Sequence, residues 1–154
     1  MPNHFSLLAP RYWVIPLFLA LCTVPALAAE KVSSRLLGLW VVQDSACNGC
    51  DPAKGAETGA VLRISEQGIQ DPFNNDCHGA VQSREIANEP FAEFQERVGV
   101  PARWLVAQST PEQNKVTTFE MVCGDKTVLK VFALPNGDLL RPAEASAVLR
   151  FRHP

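Results

Sequence analysis

The sequence is notable first for what it lacks: a long apolar run and an excess of basic residues. A helix that crosses a bilayer needs about 20 consecutive apolar residues, so we expect no integral membrane segment in the mature protein. The 14 lysines and arginines are outnumbered by 16 acidic residues, for a net charge of −2. Nucleic-acid binders carry a basic patch or stripe, so we expect no nucleic-acid partner. Apolar residues make up 47% of the chain, which argues against disorder.

Common catalytic signatures are missing as well. The chain has no G-x-S-x-G, no H-E-x-x-H, no phosphate-binding glycine loop and no calcium-loop spacing. Cys77 and His78 are adjacent, and neighbours on a strand point to opposite faces, which disfavours a nucleophile–base pair. We therefore predict no catalytic residues and no cofactor, and expect a binding protein rather than an enzyme.

Residues 1–28 have the features of a secretory signal. Arg11 precedes an apolar stretch that is too short to span a membrane, and Ala26-Leu27-Ala28 supplies small residues at a cleavage site. We predict cleavage after Ala28, a single mature domain over residues 29–154, and a periplasmic or secreted bacterial location.

Cys22 lies inside this segment, which raises the alternative of a lipoprotein anchor. Leu21 before it is large, whereas lipoboxes carry a small residue there, so we favour removal of Cys22 with the signal.

Four cysteines remain after this cleavage: Cys47, Cys50, Cys77 and Cys123. An even number in an exported chain predicts two disulfides. The spacing leaves all three pairings open. The bridges would fasten a long Gly- and Pro-containing loop, predicted over residues 44–59, to the rest of the domain.

Two alternatives use the same cysteines chemically. Cys47-x-x-Cys50 could be a thiol-redox pair, although Pro52 and Gly55 would interrupt the helix that usually follows such a motif. A zinc or copper site is the other alternative. Its ligands would come from Cys47, Cys50, Cys77, His78 and Cys123.

Most of the mature chain shows short apolar or alternating runs separated by turn residues, which is typical of strands. Asn136-Gly137 is a strong hairpin signal. The predicted strands cover residues 36–42, 60–65, 80–86, 104–108, 116–123, 127–134, 139–140 and 147–152. Short connections favour antiparallel neighbours, so we predict a mainly β protein: an antiparallel meander or β-barrel of about eight strands with one short helix.

The predicted helix lies near the middle of the chain. Asn88 is a candidate N-cap, Pro90 suits the first turn and Gly99 can end the helix. Phe91, Phe94 and Val98 then form one apolar stripe, which we interpret as core packing.

Gly38-Leu39-Trp40 in the first strand resembles the G-x-W of lipocalin-like (calycin) barrels. The resemblance implies that an arginine of the last strand packs across the tryptophan ring and closes the barrel. Arg150 and Arg152 are the candidates for that contact with Trp40, which is a cation–π geometry.

The resemblance implies a binding function of one of two kinds. In the first, the barrel encloses a small apolar ligand. The expected lining residues are Trp40, Val42, Phe119, Met121, Leu129, Val131 and Phe151. In the second, the barrel is filled and the protein inhibits a partner hydrolase. Small periplasmic barrels of the metalloprotease-inhibitor type use a flexible N-terminal arm for this, and Glu30-Lys31-Val32-Ser33-Ser34 looks similar.

Overall fold

The described residues form a single antiparallel sheet of nine strands that curls around an apolar core. The structure is a computed structural model, and it describes residues 31–47, 58–104, 114–143 and 147–154. The strands are β1 Gly38–Cys47, β2 Val61–Ser65, β3 Gly68–Gln70, β4 Cys77–His78, β5 Val81–Pro90, β6 Lys115–Cys123, β7 Lys126–Ala133, β8 Leu139–Pro142 and β9 Ala147–Arg152. One helix, α1 (Phe91–Val98), and a 3₁₀ helix (Ala102–Trp104) follow β5. The predicted mainly β meander is confirmed.

The strand order is β4-β3-β2-β1-β9-β8-β7-β6-β5, so β1 and β9 are neighbours and β4 and β5 are the two edges. Because antiparallel neighbours alternate in direction, the first and ninth strands of this order run the same way. β4 and β5 are also consecutive in sequence, separated only by Gly79 and Ala80. β4 therefore pairs with β3 at one edge of the sheet, and after a bend at Gly79 and Ala80 the chain continues as β5, which pairs with β6 at the other edge. This arrangement is barrel-like without a continuous ladder of hydrogen bonds around it.

The inner face of the sheet forms the main core. Every strand contributes at least one buried side chain to a single cluster, which is possible only because the sheet wraps around it. Strand alternation decides the face: on β9, Leu149 and Phe151 point inward while Val148 points outward.

A second, smaller core lies on the outer face of β6–β9. Phe91 and Phe94 of α1 pack with Trp104 against outward residues such as Phe132 and Leu140. The stripe of the predicted helix thus covers the sheet. Gly99 ends α1 with a left-handed φ of 77°, as the sequence predicts, whereas Asn88 belongs to β5 and Pro90 takes the N-cap position.

Four local predictions are wrong. β1 continues to Cys47, so the predicted loop begins after the strand rather than at Asp44. Trp104 lies in a 3₁₀ helix instead of starting a strand, while residues 105–108 of that predicted strand lie outside the described residues. β3 and β4 were not predicted, because strands of three and two residues carry too little alternation to recognise. β5 extends to Pro90, beyond the predicted end at Ile86.

Among the described residues, no helix has both the length and the apolar character that crossing a bilayer requires.

Candidate functional site

The barrel interior is the first candidate site, and its predicted lining residues do lie together. All seven belong to the inner cluster, and each is at most 5% exposed. They pack against further large buried side chains, including Leu36, Leu62 and Ile69. The interior is therefore occupied by the protein's own side chains along all nine strands.

The G-x-W tryptophan lies at one end of this core. Trp40 is 1% exposed, and its indole N–H donates to the Leu36 carbonyl oxygen at 2.9 Å. The ring that stacks on it is His153, with 3.7 Å between ring centroids. His153 Nδ1 also lies 3.0 Å from the Leu39 carbonyl oxygen. Trp40 is thus buried near the start of β1, with a histidine as its ring partner.

The structure places the two arginines elsewhere. Arg150 and Arg152 point outward from β9 and both bind the buried carboxylate of Asp138, at 2.6 and 2.9 Å. The Arg150 guanidinium lies 5.8 Å from the centroid of Trp104, not on Trp40. The expectation that one of them stacks on Trp40 is therefore corrected. Strand alternation explains the difference, because Arg150 and Arg152 lie on the opposite face of β9 from Phe151, which packs in the same core as Trp40.

The described part of the predicted N-terminal arm is packed into the domain. Val32 is buried in the inner cluster. The Ser33 N–H donates to Ser83 Oγ at 2.8 Å, and Lys31 forms an isolated bridge with Gln82 of β5. Through these contacts, residues 31–33 cover part of the core beside β5. An inhibitory role for a free arm gains no support from them.

The other end of the interior carries a buried ion pair that the sequence analysis did not single out. Arg141 of β8 donates to Asp71 Oδ2 at 2.6 Å, and the two side chains are 6% and 0% exposed. Arg141 follows Leu139 by two residues, so strand alternation directs it inward like Leu139. The sequence does contain one indication of this ion pair, because Arg141 is a charged residue at an inward position of an otherwise apolar strand.

Asp71 begins the loop between β3 and β4, and it organises that loop. Its carboxylate accepts hydrogen bonds from the Asn75 side chain at 2.8 Å and from the Phe73 N–H at 3.3 Å. The Asp76 carboxylate in turn accepts from the Asp71 N–H at 2.7 Å. The turn sequence Asp-Pro-Phe-Asn-Asn-Asp therefore serves two purposes, since Asp71 both shapes the turn and binds Arg141.

Phe73 completes this end of the barrel. Its ring centroid lies 4.8 Å from the Arg141 guanidinium carbon, and the ring packs against the inner core. The Nε atom of Arg141 is buried and has no hydrogen-bond partner in the structure. A buried donor without a partner is costly, so this guanidinium has unused capacity to bind an acceptor.

The cysteines support the structural interpretation. Cys77 and Cys123 form a disulfide that connects β4 to the end of β6. Cys47 is also disulfide-bonded, while Cys50 lies outside the described residues. Cys77 is 2% exposed, so its bridge is shielded from solvent reductants.

The structure describes four of the five predicted metal ligands, and among these four it forms no metal site. Cys47, Cys77 and Cys123 are oxidised in disulfides, and thiolates are what zinc requires. Within residues 31–47, 58–104, 114–143 and 147–154, no group of three or more metal-binding side chains converges. His78 is exposed on β4, next to the buried Cys77.

Comparison of the chain with known protein families, with curated proteins and with solved structures gives no match. The feature of this molecule that most clearly suggests a binding site is the buried ion pair between Asp71 and Arg141.

Proposed function

We propose that the protein is an exported binding protein that takes up a small apolar ligand bearing one acidic group. The observation that carries the proposal is the inward-facing, buried Arg141, whose only described ion-pair partner is Asp71 and whose Nε has no partner. The disulfide between Cys77 and Cys123 supports the exported location, because such bridges persist in oxidising compartments.

A guanidinium is suited to this role because it binds a carboxylate through two parallel N–H donors. Asp71 accepts from one Nη of Arg141, and Nε lacks an acceptor. A ligand carboxylate at Arg141 would use both donors. Asp71 then acts as an internal substitute that neutralises the buried charge while the ligand is absent, since an unpaired buried charge is strongly destabilising.

The loop that carries Asp71 is the part that must move. Residues 71–76 are held mainly by hydrogen bonds within the loop and by the contact of Phe73 with Arg141. Withdrawal of Asp71 would therefore leave most of the loop's own turn intact. Small side chains lie close to Arg141. Its cross-strand partner is Leu149, which pairs with Ser45 on its other side and lies two residues after Ala147 on β9. An apolar chain would enter the core along this side.

Calorimetric titration with dodecanoate and with dodecanol tests the proposal, because the two probes share a tail and differ in the head group. We expect dodecanoate to bind about tenfold or more tighter than the alcohol, as hydrogen bonds to charged groups contribute about 1.5–3 kcal/mol. Asp71→Asn should raise the affinity for dodecanoate, because it weakens the internal competitor.

Arg141→Met removes the charge at similar length and should abolish the preference for the acid. Arg97→Met is the matched control, since Arg97 is also paired with a carboxylate but is exposed on α1. Failure of both probes to bind the wild-type chain and Asp71→Asn would refute the proposed function.

A further inference from the structure

A second feature, independent of the proposed ligand, is the exposed edge strand β5. Residues Arg84 to Asn88 are all exposed, and Ile86 is 42% exposed. The residues of β6 that pair with them are Thr117, Thr118, Phe119 and Glu120, of which the first three are buried and Glu120 is partly exposed. In the described part of the chain, the edge of β5 opposite β6 carries a bridge only at Gln82, and no strand pairs with it beyond Ser83. Such an edge presents backbone N–H and C=O groups to a further strand.

The pairing of β5 with β6 contains a bulge that determines which side chains share a face. The register shifts between Glu85 and Ala87, so Ile86 is the extra residue. Arg84 and Glu89 lie opposite Glu120 and Val116, which puts both on the outer face. In a regular strand, residues five positions apart point to opposite faces. The bulge brings these two onto the same face.

The inner face shows the same relationship for the next pair. Glu85 lies opposite Phe119 and Asn88 lies opposite Thr117, and both partners face inward. β5 is thus self-complementary about a point between Ile86 and Ala87. In an antiparallel pair of β5 strands, Arg84 of one copy would lie opposite Glu89 of the other, and Glu85 opposite Asn88. Ile86 and Ala87, which are both apolar, would lie opposite each other at the centre.

We propose that two copies of this chain associate through their β5 strands, antiparallel and related by a two-fold axis between Ile86 and Ala87. A two-fold interface repeats every contact, so the dimer gains two ion pairs between Arg84 and Glu89 of the second copy. Charged residues usually protect an edge strand from association. On β5 their order is complementary under this symmetry instead of repulsive.

The charges also select this register. Sliding one strand by one residue pairs outer-face with inner-face side chains, and in one direction it sets Glu85 against Glu89 of the second copy. Glu89 already binds Arg97 of its own chain. A carboxylate has two oxygens and can accept from both arginines.

Sedimentation velocity of the full chain over a concentration series tests the proposal. We expect a reversible monomer–dimer equilibrium for the wild type. Arg84→Glu replaces both ion pairs with like-charge contacts and should raise the dimer dissociation constant about tenfold or more, because two attractive contacts are lost and two repulsive ones are added. Arg63→Glu is the control, because Arg63 is exposed on β2 and should leave the equilibrium unchanged.

Amide hydrogen exchange on the unmodified chain supplies a readout that needs no variant. Protection of residues 84–89 should increase with protein concentration, while protection of β3 should not. A chain that stays monomeric throughout the series would overturn the proposal. Equal weakening by Arg84→Glu and Arg63→Glu would also overturn it, because the association would then not involve β5 specifically.

Discussion

The imidazole of His153 lies on the indole of Trp40, with 3.7 Å between their ring centroids. This contact joins the start of β1 to the residue that follows β9, so it closes one end of the barrel-like sheet. Stacked or tilted aromatic pairs contribute about 0.5–1.5 kcal/mol beyond the area they bury. His153→Ala should therefore lower the free energy of unfolding by about that amount in urea denaturation. His78→Ala is the control and should change it by less than about 0.5 kcal/mol, because His78 is exposed on the surface. Equal effects of the two changes would contradict a specific role for the stack.

Gly38 is required by the same contact. Its φ is +131°, and a Cβ at this position would lie 2.9 Å from His153 Cε1. Gly38→Ala should cost about 1–3 kcal/mol of stability from backbone strain, plus the displacement of His153. In the His153→Ala background the steric part should disappear while the strain remains. Gly137→Ala, at a positive φ in open space, measures the strain alone. A Gly38→Ala cost that is the same with and without His153 would exclude the steric part.

The disulfide between Cys77 and Cys123 should contribute strongly to stability. It closes a loop of 46 residues, for which the chain-entropy relation gives about 4 kcal/mol. The double change Cys77→Ala/Cys123→Ala should lower the free energy of unfolding by about that amount. When the folded wild-type protein is treated with mild reductant, a thiol assay should detect no free thiol from this pair, because Cys77 is buried. Thiols should appear only after the chain is unfolded. Rapid reduction of the folded protein at Cys77 would contradict the structural assignment.

The ion pair between Asp71 and Arg141 should be sensitive to the loss of either partner. Both side chains are at most 6% exposed, and removing one member of a buried pair typically costs about 3–5 kcal/mol. We expect Arg141→Met to destabilise the protein by about this amount in chemical denaturation, and Asp71→Asn/Arg141→Met to recover much of the loss. The exposed pair of Arg97 with Glu89 offers the comparison, and Arg97→Met should cost about 1 kcal/mol or less. A double variant no more stable than Arg141→Met would mean that the cost is not due to the orphaned charge.

Local patterns in the sequence predicted the elements whose interactions are local. The alternation of β6, the Asn136-Gly137 hairpin and the apolar stripe of α1 each depend on residues close in sequence, and each is present in the structure. β9 was predicted with its observed bounds because Leu149 and Phe151 on the inner face alternate with Val148, Arg150 and Arg152 on the outer face.

The candidate site could not be predicted in the same way, because its contacts join distant residues. Asp71 is well explained as a turn residue, and nothing near it in sequence indicates that Arg141, 70 residues away, binds it. Similarly, Arg152 and His153 are adjacent in sequence. Which of them contacts Trp40 depends on the face of β9 to which each side chain points and on the path of the chain after β9.

The pairing of β1 with β9 has a consequence for how the protein comes into being. β1 acquires its second neighbour only when the last strand is available, and Trp40 acquires its ring partner only after that. A ribosome-bound chain therefore holds an incomplete sheet with an unpaired β1 edge until synthesis reaches β9. Contacts between such distant segments also form slowly. We therefore expect the pairing of β1 with β9, and the contact of His153 with Trp40 that depends on it, to form late in folding.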